Sequence, residues 1–361
     1  MKKNFWQNKS VLVTGHTGFK GSWLTLILKS MGAKVIGIAL NPKSKPNFFD
    51  DMNLKIFLEA DYRKNIKSLT FVSKIIKKYK PEVIFHLAAQ SSVLTSYYNP
   101  IDTIETNVIG TTNVLQSIKN SNSVRVGIIV TTDKVYLNSK KNKKFIESDE
   151  LGGYDIYSGS KAASEIIFQS YKKSFIDKTK CKIATVRSGN CIGGGDWTKD
   201  RIMKDCAEKM IRNKTITLRS PKATRPWQHV IEPLYGYLIL AEKMYYDKKY
   251  SGSWNFGPNK KNNLKVIDLV KFCKKDLKSE SIIKFKQNKF YESKNLSLNS
   301  NKALKFLKWK NILNAKEAIK FTLSWYKLFY NTKSPKEIVK FSFNQIIEYK
   351  KLLKLRRLII S

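Results

Sequence analysis

Short apolar runs alternate with longer amphipathic stretches through the first half of the chain. The run over residues 10–14 predicts a buried parallel strand, and a helical pattern over 22–30 follows it after a glycine-rich turn. Strands that alternate with helices are typical of a doubly wound parallel sheet, an α/β fold. The pattern predicts further strands at 34–40, 55–60, 83–87, 124–130 and 182–186, and helices at about 65–79, 102–120 and 156–176.

The pattern changes after residue 187. We expect a first domain over 1–187, to which a segment at about 225–256 returns, and a smaller, interleaved domain over 188–330. A glycine-rich loop is expected at 193–197. Helices are predicted at 200–212 and 231–246, a short strand at 215–218, and lysine-rich amphipathic pieces from about 260.

The chain ends in a basic amphipathic tail over 331–361. A helix is predicted at 336–360, because Ile338, Phe341, Ile346 and Leu352 recur at roughly helical spacing among lysines. Such a helix can dock on the protein body or on an anionic membrane surface, and docking on the body is the favoured interpretation.

Composition narrows the class of protein. The chain has 361 residues, of which 42% are hydrophobic, so it can bury a sizeable core. The segment after Met1 has no apolar signal core, and no stretch reaches the length of a membrane span, which predicts a cytoplasmic protein. Four cysteines without a CxxC pair and three histidines argue against a disulfide scaffold or a metal site.

The charge is strongly basic. Lys and Arg number 68 against 28 Asp and Glu, a formal net charge of +40. Lysine is spread through nearly every segment and arginines are scattered, whereas nucleic-acid binders concentrate both on one element. We therefore expect no specific nucleic-acid partner, although a basic surface favours phosphate-bearing substrates.

Three glycines between the first predicted strand and helix indicate nucleotide binding. Gly15 would allow a tight turn, Gly18 would let backbone N–H groups reach a pyrophosphate, and Gly21 would let helix and strand pack closely. This context predicts a Rossmann-type dinucleotide site, and the GxxGxxG spacing favours the short-chain dehydrogenase/reductase branch.

The 2′ position of the dinucleotide is ambiguous in the sequence. The second predicted strand ends in Leu40-Asn-Pro-Lys43, without the acidic residue expected to bind the ribose of NAD. Asn41 can bind a hydroxyl and Lys43 could attract a 2′-phosphate, so NAD and NADP both remain open on chemistry alone. Asp61, after the third predicted strand, is expected either at the adenine edge or as a helix cap.

Two further groups of residues carry candidate chemistry. Tyr157 and Lys161 stand four residues apart on a predicted helix, so a phenol and an ammonium share one face, and tyrosinate can accept a proton from a substrate alcohol. Thr132, Asp133 and Lys134 follow the fifth predicted strand, where ligands sit in open α/β sheets. Thr132 can bind the reacting oxygen, and Asp133 with Lys134 adds an acid and a base.

Four motifs together resemble the extended short-chain dehydrogenases that modify nucleotide sugars. They are HLAAQS at 86–91, TTDK at 131–134, the Tyr157/Lys161 pair and RPWQHV at 225–230. Within that family, GHTGFKGSW at 15–23 and WNFGP at 254–258 are similar to the CDP-glucose 4,6-dehydratases. The resemblance covers about residues 5–330.

The chain departs from this family in two places. Tyr154-Asp-Ile156 replaces the Gly or His, Asp and Pro that commonly precede the tyrosine, and the tail beyond about 330 has no clear counterpart.

The resemblance implies an internal redox dehydration of CDP-glucose with bound NAD. Tyr157, supported by Thr132 and Lys161, would deprotonate the C4 hydroxyl while a hydride passes to NAD. Water would leave across C5 and C6 with Asp133 as general acid, and the hydride would return to C6. Lys134 is the candidate base at C5, or else positions the sugar. A homodimer or tetramer is also implied, the dimer through the helices at 102–120 and 156–176.

Ligand contacts are carried over from the same family. His86 is expected to orient the cofactor loop, and His229 and Cys191 are more often structural than catalytic at such places. The predicted cofactor residues are Gly15, Thr17, Gly18, Phe19, Lys20, Gly21, Asp61, Tyr62, Leu87, Ala88, Ala89, Gln90, Asn107, Tyr157 and Lys161. The predicted substrate residues are Gln90, Ser91, Asn190, Arg201, Arg219, Arg225 and His229.

Two alternatives stay open. The first is an epimerase, or a dehydratase acting on another nucleotide sugar, although an epimerase needs no acid at C6. The second, more remote, is a redox-inactive protein that binds NAD or polyanions.

Overall fold

A parallel sheet forms the centre of the molecule. The computed structural model describes residues 4–137, 143–199, 201–259, 262–286, 296–332 and 334–358. Within these ranges the sheet contains β1 (Ser10–Thr14), β2 (Lys34–Ala39), β3 (Ala60–Arg63), β4 (Val83–His86), β5 (Val126–Val130), β6 (Lys182–Arg187) and β7 (Gly252–Asn255). Their order is 3-2-1-4-5-6-7, and all neighbours are parallel.

Helices cover both faces of the sheet. The first half of the chain contains α1 (Phe19–Lys29), α2 (Phe48–Asp51), α3 (Leu69–Tyr79), α4 (Val93–Tyr98), α5 (Pro100–Ile104), α6 (Gly110–Lys119) and α7 (Ile156–Ser174). The second half contains α8 (Ile202–Ile211), α9 (Ile231–Tyr246), α10 (Val266–Asp276), α11 (Asn301–Leu307), α12 (Ala315–Thr332) and α13 (Pro335–Leu358).

The alternation of side chains along the strands separates two cores. Val11 and Val13 of β1 point into a core shared with α1 and α9, whereas Leu12 points into a second core with α3, α6 and α7. Successive residues of a strand face opposite sides, and both sides of this sheet are covered, which is why its strands are nearly continuous apolar runs.

Short two-stranded ladders shape the second half of the chain. Cys191–Ile192 pairs in parallel with Gln228–His229, and Ile216–Leu218 pairs in parallel with Ile283–Phe285. Thr224–Pro226 pairs antiparallel with Asn263–Lys265. Five residues of these ladders, Cys191, Ile192, Thr217, Leu218 and Arg225, line a cleft.

Most predicted elements are confirmed, and one strand is wrong. The predicted strand at 55–60 is instead a 3-10 turn at Leu54–Phe57, and the third strand begins at Ala60. Leu54 is buried whereas Ile56 is exposed, so this apolar run has the spacing of a helical turn. The predicted helix at 102–120 is α5 and α6 joined by a π-helical turn at Glu105–Ile109.

The segment expected to return to the first domain supplies the edge strand β7. It pairs with β6 along Ala184–Arg187. None of the helices in the described ranges combines the length and the apolar character of a membrane span.

The tail helix α13 docks on the protein body. Ile338, Ile346 and Tyr349 are buried, and the helix packs against α12 and α1. The Tyr349 hydroxyl donates to the buried carboxylate of Glu232 (3.2 Å), and the Trp325 indole donates to Ser342 of the tail (2.9 Å). The favoured interpretation of the tail is therefore confirmed.

Neighbouring isoleucines of α13 test this docking. Ile346→Ala should lower the free energy of unfolding by about 2–5 kcal/mol, because it leaves a cavity in a closed core. Ile347, which is 48% exposed, is the matched control, and Ile347→Ala should change the free energy of unfolding by about 0.5 kcal/mol or less. Urea unfolding measures both. Equal effects of the two substitutions would contradict the docked position.

Candidate active site

A cleft of about 710 Å³ opens at the carboxyl ends of the central strands. One wall is the glycine turn after β1 and the segments after β4 and β5. The opposite wall is the chain from Ser188 to Trp227. The segments that follow parallel strands meet at this edge, so residues distant in sequence face one cavity.

The turn between β1 and α1 requires glycine at two positions. Gly15 has φ +76°, and a Cβ there would lie 2.6 Å from the backbone nitrogen of Ala88. A Cβ on Gly21 would lie 2.1 Å from the Gly15 carbonyl oxygen. Gly18 precedes the first turn of α1, whose backbone N–H groups can bind an anion. The turn therefore fits the pyrophosphate of a dinucleotide.

Several predicted cofactor residues line the cleft, some from the start of α1 and some from the segment after β4. Besides the glycines, Phe19, Lys20, Leu87, Ala88 and Ala89 line the cavity. Thr17, Gln90 and Asn107 instead brace the loops behind it: Thr17 donates to the Leu40 carbonyl (2.9 Å), and the Asn107 amide donates to the Gln90 carbonyl (3.0 Å).

Below the Leu87–Gln90 loop, His86 lies between the hydroxyls of Thr14 (2.7 Å) and Thr111 (3.0 Å). Burial, with the charge of Lys161, lowers the pKa of His86 to about 3, so the imidazole is neutral. His86 thus braces the same turn from beneath.

Asp61 lies within β3 and caps no helix. Its carboxylate is 2.8 Å from the Nε2 of His16 and accepts from the Nε of Arg63 (2.8 Å). Burial opposes ionisation, yet these partners lower the pKa of Asp61 to about 2. Arg63 also donates to Asp50 (2.9 Å) and to the side-chain carbonyl of Asn41 (3.3 Å).

Asp61 and Tyr62 both lie outside the cleft lining. The Tyr62 hydroxyl is 2.8 Å from that of Tyr79. The sequence predicts that both residues contact the cofactor. In this structure their side chains instead form hydrogen bonds with other side chains of the protein.

Thr132, Tyr157 and Lys161 meet in the cleft as their order along the chain predicts. Tyr157 and Lys161 lie one turn apart on α7, and Thr132, which follows β5, lines the same cleft. Burial raises the pKa of Tyr157, whereas the neighbouring Thr132 hydroxyl and the charge of Lys20 lower it.

Lys161 is held beneath the reacting groups. Its ammonium donates to the Val130 carbonyl (3.3 Å). Burial, with the charge of Lys20, lowers the pKa of Lys161 to about 8, although Glu165 on the next turn of α7 opposes this.

Asp133 is a buried carboxyl at the bottom of the cleft. It accepts from the Thr132 hydroxyl (3.1 Å), and a Cβ on Gly189 would lie 2.9 Å from its Oδ2. Burial raises the pKa of Asp133 above its ordinary value, although Lys134, the Thr132 bond, Lys20 and Arg225 act in the opposite direction. A carboxyl with a raised pKa can hold a proton and donate it. Lys134 lines the same cleft.

Most of the predicted substrate residues form the outer part of the cleft. Ser91, Asn190, Arg201, Arg219 and Arg225 line it. Three arginines at one mouth suit a diphosphate, since guanidinium groups bind phosphate through paired hydrogen bonds.

Two predicted substrate residues lie elsewhere. His229 is fully buried between the rings of Trp23 and Phe321 and does not line the cleft. Burial lowers the pKa of His229 to about 3. Its place as a substrate residue is therefore corrected to a core position. The Gln90 side chain donates to Ser92 and Thr103 and likewise lies outside the lining.

The sequence reasoning missed Glu165 and Ser188. Glu165 of α7 forms a buried ion pair with Arg187 of β6 (2.8 Å), and its spacing from Lys161 on the same helix was the available signal. Ser188 accepts from the ammonium of Lys20 (2.8 Å) and the hydroxyl of Tyr237 (2.9 Å). No local pattern marks a contact between residues 168 positions apart.

Known proteins are similar to this chain in sequence and in fold. A family model described as GDP-mannose 4,6 dehydratase matches residues 12–322. The CDP-glucose 4,6-dehydratase of Salmonella typhimurium is 37% identical over 333 residues, which cover 90% of this chain and 92% of that protein.

Solved structures agree on the fold. A UDP-glucose 4-epimerase from Thermotoga maritima, solved with UDP-glucose, matches with a TM-score of 0.79 and 22% identity, covering 89% of this chain and 99% of that one. A dTDP-glucose 4,6-dehydratase from Bacillus anthracis, in complex with NAD, matches with a TM-score of 0.77 and 21% identity, covering 91% and 99%.

Proposed function

The chain belongs to the GDP-mannose 4,6 dehydratase family, and we propose that it converts CDP-D-glucose to CDP-4-dehydro-6-deoxy-D-glucose. One observation carries the proposal. A hydroxyl, phenol and lysine set suited to alcohol oxidation shares one cleft with a buried carboxyl suited to acid catalysis. The first set oxidises an alcohol, and the second supplies the proton that a dehydration needs. The enzyme is thus an NAD-dependent nucleotide-sugar 4,6-dehydratase.

NAD is the cofactor. When bound, NAD would accept the hydride from C4 of the sugar and return it to C6. We propose that Gly15, Gly18 and Gly21 hold its pyrophosphate, with the walls described above on either side. Arg63 carries a positive charge near Asn41, but two carboxylates already balance it, so it offers little to the 2′-phosphate of NADP.

Tyr157 is the proposed base for the first step. Its phenolate removes the proton of the C4 hydroxyl while the hydride leaves C4, so a ketone forms and the phenol holds the proton. Thr132 donates to the reacting oxygen, and Lys161 supplies positive charge beneath the pair. The new ketone makes the C5 proton acidic.

Asp133 and Lys134 are the proposed acid and base for the dehydration. Lys134 removes the C5 proton, and Asp133 protonates the C6 hydroxyl, which departs as water. The raised pKa of Asp133 supports this role, because the carboxyl must hold a proton before the step. The alternative role for Lys134 is to position the sugar. Solvent-deuterium exchange at C5 should vanish in Lys134→Met if Lys134 is the base, and it should persist if Lys134 only positions the sugar.

We further propose which part of the chain holds each half of the ligands. Residues 1–187, with the returning strand β7, would bind NAD, and residues 188–330 would bind the nucleotide sugar. Asn190, Arg219 and Arg225 are the proposed diphosphate ligands, with Ser91 and Arg201 at the rim.

Incubation of the purified protein with CDP-glucose and catalytic NAD tests the activity. We expect a 4-keto product that absorbs in alkali, with no net accumulation of reduced nicotinamide. UDP-glucose, dTDP-glucose and GDP-mannose are the comparison substrates. Faster turnover of one of these would overturn the choice of CDP-glucose, and inversion at C4 without dehydration would identify an epimerase.

Asp133→Asn separates oxidation from dehydration. The first hydride transfer should persist, because Tyr157 and Lys161 remain, whereas loss of the C6 hydroxyl should slow by roughly 10²–10⁴-fold without its acid. Stopped-flow absorbance should therefore show reduced nicotinamide that builds up while product stays low. Tyr157→Phe is the control and should show neither signal. Near-normal product formation by Asp133→Asn would refute the acid assignment.

We also propose a homodimer whose interface includes the α5–α7 face. Ile101, Ile109 and Ile166 are 67%, 47% and 54% exposed there, and α5 packs against α7 so that these helices form one surface. Pairing with a second copy would cover these side chains, since contiguous exposed apolar surface marks an interaction site.

Size-exclusion chromatography with light scattering tests the dimer. Ile109→Glu combined with Ile166→Glu should convert a dimer to a monomer, because the charges would be buried without partners. Ile56→Glu is the control: Ile56 is 66% exposed in the turn before β3, away from this face. A double variant that keeps the size of the native protein would contradict the interface.

We also propose a cytoplasmic location, which the free thiols of Cys181, Cys191, Cys206 and Cys273 favour.

A further inference from the structure

Lys20 stands in the glycine turn, yet its ammonium points away from that turn. The side chain starts from the first turn of α1 and crosses the cleft to Ser188, just beyond the end of β6, where Nζ donates to Oγ at 2.8 Å. The Tyr237 hydroxyl of α9 donates to the same oxygen at 2.9 Å. The Cys191 thiol is 4.0 Å from the same oxygen, so Ser188 accepts from three donors, which fixes the position of the Lys20 charge.

The fixed charge lies among the proposed catalytic groups. Lys20 interacts electrostatically with the Cys191 thiol, the Tyr237 phenol and the Tyr157 phenol. Its charge also acts on Asp133 and Lys161, and Lys20, Tyr157, Asp133, Lys161 and Cys191 line the same cleft. A lysine that bound the cofactor phosphates would direct its ammonium toward the turn at Gly15–Gly18. Here the protein itself holds the ammonium on the opposite wall.

We propose that Lys20 is a positioning residue of the catalytic centre, whose anchored ammonium stabilises the phenolate form of Tyr157. This inference rests on the proposed role of Tyr157 as the base of the first step. It extends that role by assigning to the glycine turn a charge that acts on the proton transfer rather than on the dinucleotide.

The surroundings of Tyr157 explain why a second cation matters. The phenol is buried, which disfavours its ionised form, and Asp133 adds a negative charge that does the same. Thr132, Lys20 and Arg201 act in the opposite direction. Arg201 is partly exposed at the rim, whereas the Lys20 ammonium is anchored inside, so solvent screens the Lys20 charge less.

Removing the charge at constant shape tests the proposal. The first hydride transfer should speed up as the pH rises, because it needs the phenolate of Tyr157. Lys20→Met should raise the midpoint of this pH profile by about one pH unit, since the phenolate loses a neighbouring cation. The rate of nicotinamide reduction at pH 7 should fall about tenfold and recover as the pH is raised. Lys20→Arg should keep the midpoint, because it retains the charge. Lys29→Met, an exposed lysine of the same helix, is the matched control and should keep both.

Two readouts do not depend on turnover. The equilibrium affinity for NAD should change less than threefold in Lys20→Met. The phenolate absorbance of Tyr157, which is the part of the absorbance lost on Tyr157→Phe, should appear at higher pH in Lys20→Met than in the native protein. A midpoint that stays in place while NAD affinity falls tenfold or more would overturn the proposal and return Lys20 to the cofactor. If Lys20→Met does not fold, Ser188→Ala removes the anchor instead, and an unchanged midpoint there would overturn the proposal equally.

The outcomes separate this proposal from the proposed function. A wild-type protein that makes no 4-keto product from any of the four sugars refutes the function. The phenolate titration, which needs no substrate, still reports whether Lys20 acts on Tyr157.

Discussion

The buried ion pair between Glu165 and Arg187 holds the active site together. Arg187 ends β6 and donates through Nε and Nη2 to the Glu165 carboxylate, each at 2.8 Å. The same carboxylate accepts from Thr131 after β5 (2.6 Å) and from Thr185 of β6 (2.7 Å). Glu165 lies one turn beyond Lys161, so these bonds fix α7 against the strand ends that carry Thr132 and Asp133.

A buried pair of this kind adds little net stability, because its desolvation offsets the attraction of its charges. Its value here is geometric. The remaining Arg187 donors reach the Tyr136 hydroxyl (2.6 Å) and the Glu147 carbonyl (3.1 Å), and Tyr136 donates to Asn255 of β7 (2.8 Å). Helix, strands and following loops are thereby held in one arrangement, and the proposed proton transfer between Tyr157 and a substrate would depend on such fixed distances.

A few charged side chains also determine the electrostatics of the cleft. Lys20, Lys134 and Arg225 all act on one buried carboxyl, Asp133, and Arg201 and Arg219 line the same cleft. In the proposed mechanism the lysines would act on proton transfer, and the arginines would suit the diphosphate of a nucleotide sugar. The net charge of +40 is a separate property: most of its lysines lie in segments remote from this cleft and say nothing about the chemistry.

The amino-acid sequence by itself determined the alternating strands and helices, the glycine turn, and the pairing of Tyr157 with Lys161 on one helix. These are local properties, because side-chain periodicity and the steric demand of a turn involve residues close in the chain. The same local reasoning failed at 55–60, where an apolar run forms a turn, and at His229, where a polar ring in the 225–230 motif is buried in the core. Only the tertiary structure decided that Lys20 reaches Ser188, that Arg63 and His16 engage Asp61, and that α13 closes over Glu232. Each of these contacts joins different elements of the fold, and no periodicity along the chain encodes which side chains meet there.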